Sequence, residues 1–206
     1  MKNVVDIDYS DLTRAEAAGA DLESLGVFVK RDANGYIEEI IAPLQNLASL
    51  NTEGLDFSFS AGHFFNSIGD IQFNTAHSLY LTYNSQGFPG VGFDNKLGSN
   101  GRPRWKNTTN LSYIPKFHQD SKLGFTFHTT GAHKKSDPSA GRIKRHHQLD
   151  MQYTNNAVLG GALTLGLNNV LNRDPPLDDT LTSDQLDDTL YSPRGQSAYI
   201  NYKYKF

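Results

Sequence analysis

No cysteine occurs among the 206 residues. Disulfide staples, thiolate zinc sites and thiol nucleophiles are therefore excluded. Hydrophobic residues reach only 37%, which is low for a soluble core of this length. No window holds the continuous apolar run that a membrane helix needs. The opening stretch MKNVVDIDYSDLTRAEAAGADL is acidic and has no apolar segment of signal-peptide length. A basic excess is missing too: the net charge is -3, so no general affinity for nucleic acid follows.

What is present is a strand-forming mixture. Aromatic residues make up 11%, and glycine occurs 18 times. Few aliphatics beside many aromatics, Gly, Asn, Ser and Thr suit antiparallel strands and their turns. One helix is expected over residues 10–26, capped by Ser10 or by a Thr13/Glu16 capping box and stopped at Gly26.

Beyond Tyr36 the hydrophobic period is two. In GLDFSFSAGHFF, Leu55, Phe57 and Phe59 oppose Asp56, Ser58 and Ser60. HSLYLTYN, NLSYIP, KLGFTFHTTG, QLDMQYTN, ALTLGLNN and YINYKYKF alternate in the same sense. That predicts seven strands, with a weak eighth at Tyr36 to Ala42. One side is Leu, Phe, Tyr and Met. The other carries Asp56, Asp150, Gln152, Lys203 and Lys205 among Thr, Ser and Gly. A sheet wetted on one side has this pattern, and so does a barrel with lipid outside and a wet lumen.

The connections separate the two. Short turns (NSIGD, FHQDS, NNAVLGG) alternate strictly with long ones: residues 85–104, KKSDPSAGRIKRH and residues 170–195. Outer-membrane barrels place short turns on the periplasmic side and long loops outside. A soluble sandwich needs no such alternation. The expectation is an all-β, antiparallel, up-and-down transmembrane barrel segment. It has about eight strands of a larger barrel over 35–206, preceded by a loop and helical segment over 1–34. Ile200, Tyr202, Tyr204 and Phe206 alternate along the last strand, where they suit an interfacial girdle and a strand offered to a partner before closure.

Three stretches carry a family likeness: NLASLNTEGLDFSFS (46–60), LTLGLNNVLNRDPP (163–176) and YSPRGQSAYINYKYKF (191–206). Together they resemble the C-terminal barrel region of TonB-dependent outer-membrane receptors. The likeness covers roughly residues 30–206. It implies a bacterial outer membrane location and import of a ligand such as a metal chelate or a glycan, with no chemistry by the chain itself. It makes Ile200, Tyr202, Tyr204 and Phe206 the signal read by the barrel-assembly machinery. The family's signal peptide, TonB-contacting box and plug are not legible. The chain is thus expected to be the tail of a receptor, touching TonB only through the missing N-terminal region. Two alternatives stand beside it: an autonomous eight-stranded outer-membrane barrel with a structural role, and a soluble β-sandwich or lipocalin-like binder with its apolar face inward.

Loop residues are the remaining candidates. Arg142, Lys144 and Arg145 form a basic cluster that would meet lipopolysaccharide or stand as an ordinary exposed patch. The acidic run RDPPLDDTLTSDQLDD, with Asp174, Asp178 and Asp179, lacks the central glycine and alternating aspartates of a calcium loop and reads as a solvated outer loop. In a complete receptor it would touch ligand. His146 and His147 are adjacent in a strand and face opposite ways, so they do not chelate together. GFPGVGF neither follows a buried parallel strand nor opens a helix, so it is no phosphate cradle. NTT at 107–109 matches a glycosylation acceptor by pattern only. No nucleophile–histidine–acid set is legible, and no cofactor or metal is called for.

Overall fold

In a computed structural model, the described residues are 9–41, 49–87, 92–181 and 185–204, with side chains from residue 12 onward. The chain divides into two units: Met1–Glu53 with Thr82–Lys96, and Gly54–Leu81 with Leu97–Phe206.

The first unit contains α1 (Tyr9–Ala17) and a hairpin of β1 (Phe28–Arg31) and β2 (Ile37–Ile41). The helix ends earlier than Gly26. The amides of Ala18, Gly19 and Ala20 turn back onto the carbonyls of Arg14, Glu16 and Ala15, and Gly19 takes φ 74°. This is a left-handed glycine closing a helix. Thr13 lies inside α1 rather than at its cap. Leu12, Ala15, Leu22 and Val27 form a small buried core, with Ala20, Leu25, Val29 and Ile37 packed on it. Arg31 ties the hairpin to the helix through Glu16 at 2.5 Å, and Arg14 pairs with Asp94. The guanidinium of Arg14 holds the Asp94 carboxyl below its usual pKa. The weak run at 36–42 is therefore not a strand of the large sheet. Its strand, β2, pairs with the adjacent β1 because Asp32 and Gly35 (φ 86°) make a tight turn between them.

All seven expected long strands form. They are β3 (Ser49–Phe65), β4 (Gly69–Gln86), β6 (Trp105–Pro115), β7 (Ser121–Thr130), β10 (His146–Val158), β11 (Gly161–Asn168) and β12 (Ser197–Tyr204). Short strands β5 (Asp94–Asn95), β8 (His133–Lys134) and β9 (Arg142–Ile143) lie in the long connections. The sheet order is β12-β11-β10-β7-β6-β4-β3, with β5 added beside β4. Sequence neighbours are spatial neighbours throughout, so the sheet is an antiparallel meander. Its short turns must all lie at one end and its long connections at the other. Among the described residues β3 and β12 do not pair with each other, and the sheet is open.

The register aligns the two faces across strands. One row reads Phe73, Leu111, Phe125, Met151, Leu167, Ala198; the next reads Ile71, Tyr113, Leu123, Tyr153, Leu165, Ile200. Phe59 of β3 joins this face through Phe73, with ring centroids 6.3 Å apart. The opposite face carries the row Gln72, Ser112, Gly124, Gln152, Gly166, Tyr199. Gly166 is required there: a Cβ would stand 2.1 Å from the Tyr199 ring, which lies across it. Gly69 is required at the β3–β4 turn, where φ is 125° and a Cβ would meet the Ile114 carbonyl oxygen at 2.2 Å. The β10–β11 turn places Leu159 and Gly160 at φ 48° and 78°, the double left-handed geometry that matches strand twist.

Candidate functional site

The apolar rows are not a core. Phe57 is 57% exposed, Phe59 59% and Ile200 76%. From Ile71 to Leu79 in β4, and throughout β6, β7, β10, β11 and β12, this face holds no Asp, Glu, Lys or Arg at any described position. The opposite face carries Asp70, Lys106, Lys122, Asp150 and Lys203. Its polar groups bond to one another. Thr126 donates to Asn110 at 2.8 Å, Gln148 to Asp150 at 2.9 Å, and Tyr199 to Gln152 at 3.1 Å. His128 stands 3.5 Å from Asp150, and Ser78 donates to Asp56 at 2.6 Å. A polar recess of about 400 Å³ opens among Asn74, Asn110, Lys122, Asp150, Gln152 and Tyr199.

At the short-turn end one device recurs on alternate strands. Tyr113 of β6 donates to the Ile68 carbonyl in the β3–β4 turn at 2.9 Å. Tyr153 of β10 meets the Ser121 hydroxyl, at the end of the β6–β7 turn, at 3.0 Å. Tyr202 of β12 donates to the Leu159 carbonyl in the β10–β11 turn at 2.9 Å. Each ring belongs to the apolar face and each hydroxyl holds the neighbouring hairpin. An apolar body with a polar tip suits a boundary between oil and water. Their period-two placement was legible; the partners of the hydroxyls were not, because they depend on register.

The long-connection end is held by polar clasps. Asn169, at φ 52°, donates its backbone N–H to Asp150 at 2.8 Å, and its side chain accepts from and donates to the Arg173 backbone. Asn172 accepts from the Gln196 amide at 3.0 Å. The LNNVLNR stretch is thus a hydrogen-bonded corner after β11, tied through Asn172 to Gln196 at the start of β12. Asp178 is only 2% exposed. It accepts from the Ser136 amide at 2.6 Å, and from the amide and hydroxyl of Thr180 at 3.1 and 2.6 Å. Burial alone would raise its pKa, but these bonds outweigh burial and hold it below the usual range. Its carboxylate therefore serves the loops' own backbone and is not presented outward. Asp179 is exposed and binds Lys135 at 2.6 Å, and Asp174 is exposed.

His133 is fully buried and stacks on Tyr191 at 6.1 Å, while His146 meets the same ring edge-on at 5.3 Å. The Nε2 of His133 and the hydroxyl of Tyr191 are buried with no hydrogen-bond partner among the described residues. Burial lowers the His133 pKa, against the Gly131 carbonyl, Asp187 and Asp178, which favour the proton; Arg142 opposes it. Burial, with Asp187 nearby, raises that of Tyr191. A second recess, about 330 Å³, lies between this loop and the polar face, lined by Lys106, Thr108, His128, His146 and Tyr191.

The basic cluster is at the same end. Arg142, Lys144 and Arg145 are all exposed. Arg142 donates to the Ala132 carbonyl at 3.3 Å, and Arg145 lies over the Trp105 ring, 5.2 Å from its centroid. These three residues, like Asp178 and Asp179, lie on the long connections, each with its own partners, and Ile200, Tyr202 and Tyr204 lie apart on β12. Phe206 lies outside the described residues, as do residues 46–48 of the first family-like stretch. Sequence reading passed over Trp105, whose parity with Leu111 would have placed it on the apolar face. Among the described residues no three His, Asp or Glu side chains converge as a metal would require.

No helix among the described residues is long and apolar enough to cross a membrane, which leaves strands untouched as a means of crossing. The fold and its two unlike faces define a class: an open antiparallel meander, apolar and uncharged on one side, hydrogen-bonded and polar on the other. No protein-family model, curated protein or solved structure matches the chain.

Proposed function

We propose that this chain is the C-terminal β-barrel portion of a TonB-dependent outer-membrane receptor, which imports a ligand such as a metal chelate or a glycan and performs no chemistry. The carrying observation is the outward face: its large apolar residues are half-buried to exposed rather than packed in a core, and it carries no charge at the described positions of six strands. Water disfavours such a surface by about 25 cal/mol per Å², and a monomeric soluble protein rarely shows so large a patch. Lipid removes the penalty. From Ser121 to Thr129 along β7 is about 26 Å, which corresponds to roughly 20 Å of membrane normal at the usual tilt of such strands. The polar face then lines an aqueous interior, and the long connections meet ligand outside.

The open sheet favours a larger barrel over an autonomous eight-stranded one, because β3 is exposed along its whole length and is an unprotected edge if left alone. In the larger barrel β3 pairs with further strands. The edge at β12 is what the barrel-assembly machinery would engage, lipid and lipopolysaccharide would be the surroundings, and TonB would act through a region N-terminal to these strands.

The test exploits the missing cysteine. Single cysteines at 163, 164, 165, 167 and 168, labelled and reconstituted in bilayers, report each position in turn; Gly166 is left intact because a Cβ there would meet the Tyr199 ring. Lipid-borne quenchers should reach 163, 165 and 167, and water-borne quenchers 164 and 168. A chain that stays monodisperse without detergent, with Leu163, Leu165 and Leu167 protected from both quenchers, would sink the proposal.

A further inference from the structure

The outward face changes character toward the long connections. On β7 and β10, the row above Phe127 and Leu149 is Thr129 and His147; on β4 and β6 it is His77 and Asn107. These groups are polar and mutually bonded. Asn107 donates to Thr75 at 3.0 Å, Thr75 meets Thr109 at 2.9 Å, and Thr129 meets the His147 ring at 3.0 Å. His77 stacks on Trp105 at 5.4 Å, and His147 on Phe127 at 5.4 Å. Two residues beyond Asn107 and His147, the guanidinium of Arg145 lies over the Trp105 ring, 5.2 Å from its centroid, with exposed Lys144 beside it in sequence. The indole is seated by Gly131, whose missing Cβ would stand 3.0 Å from Nε1.

We propose that Arg145, held over Trp105 and assisted by Lys144, binds the phosphate of a membrane-lipid headgroup. The inference rests on the membrane reading above and names one partner of that surface. Three observations support it. On β6, β7 and β10 a band of Thr, Asn, His and Trp follows the last apolar residues Leu111, Phe127 and Leu149, as side chains do at the depth of headgroups rather than acyl chains. The indole beneath Arg145 restrains a guanidinium 5.2 Å above it, and a guanidinium held over an aromatic ring suits bidentate phosphate recognition. The outward face of the sheet offers no carboxylate to compete, because its described positions in β6, β7 and β10 carry none. Charge and depth together select an anionic lipid, not a soluble ion.

Trp105 is the single tryptophan of the chain, so its emission reports the site directly. The full chain would be reconstituted in phosphatidylcholine bilayers doped with headgroup-labelled lipid A, a phosphorylated glycolipid, or with equally labelled phosphatidylcholine. Preferential quenching of Trp105 by the anionic label is expected. Arg145→Gln should weaken that preference about fivefold, Arg145→Lys should retain part of it, and Lys203→Gln on the opposite face should leave it unchanged. An equal preference in Arg145→Gln, or full reversal by inorganic phosphate at the same concentration, would overturn the proposal. Quenching by labelled phosphatidylcholine without any anionic preference would reject the headgroup site while leaving the membrane reading intact. Absence of quenching by either label would reject both.

Discussion

Leu12 and Val27, in the N-terminal unit, are at most 1% exposed, whereas Phe57 and Phe59 in the large sheet are more than half exposed. The same kinds of side chain are used in opposite ways within one chain. In the first unit, helix spacing and a hairpin turn bring leucine and valine against one another, which is how a protein in water lowers its free energy. In the sheet, the register turns every apolar row away from the polar network. No second layer covers those rows among the residues of that unit, and the buried groups there are mostly polar: Ser121, Thr129, His133, Asn169 and Asp178. Composition cannot separate these two regimes.

Three perturbations would break or sharpen the contrast. The largest effect is expected for Leu12→Ala. It empties a fully buried site and should destabilise the first unit by about 2–5 kcal/mol. Hydrogen exchange of the α1 amides would report it, and the change should be the same with and without lipid. Next is Phe125→Arg, at the middle of the outward face. It should cost about 2–4 kcal/mol in bilayers, measured by urea unfolding in lipid, while Thr126→Arg on the other face should cost much less. Equal costs for the two would dissolve the distinction between the faces.

The smallest effect concerns pH. Burial depresses the pKa of His133 below 6.5, so in the interval between its folded value and 6.5 the unfolded loop binds more protons than the folded one. Stability of the loop clasp therefore falls as pH drops through that window and levels off below the folded value. Protection factors around residues 131–145, corrected for the intrinsic pH dependence of amide exchange, should fall on acidification, and His133→Phe should remove most of this fall. Asp178 acts lower. Its depressed pKa contributes stability above about 3.9, which is lost as pH falls through the folded value.

Much of the sheet was legible because its signal is local. Alternation such as Leu163, Leu165, Leu167 against Thr164, Gly166, Asn168 needs only strand geometry to be read. The rhythm of connections gave the meander, since short turns leave adjacent strands no choice but to pair. Boundaries were less legible. Gly19 and Gly26 are equally good stop signals in sequence, and the packing of Leu22 and Val27 onto Leu12 selected the earlier one. Burial of a charge was illegible: Asp178 sits in a run that reads as solvated, and only the meeting of two distant loop segments gave its carboxylate the donors that make burial tolerable.

The amino-acid order alone determined which residues alternate, where the chain turns, and that two chemically unlike faces would arise. All three follow from bond geometry and side-chain polarity at short range. Which tyrosine hydroxyl holds which turn, which ring supports Arg145, and whether β3 and β12 meet were decided only in three dimensions. Those contacts join residues tens of positions apart, and a shift of one residue in register would have replaced all of them.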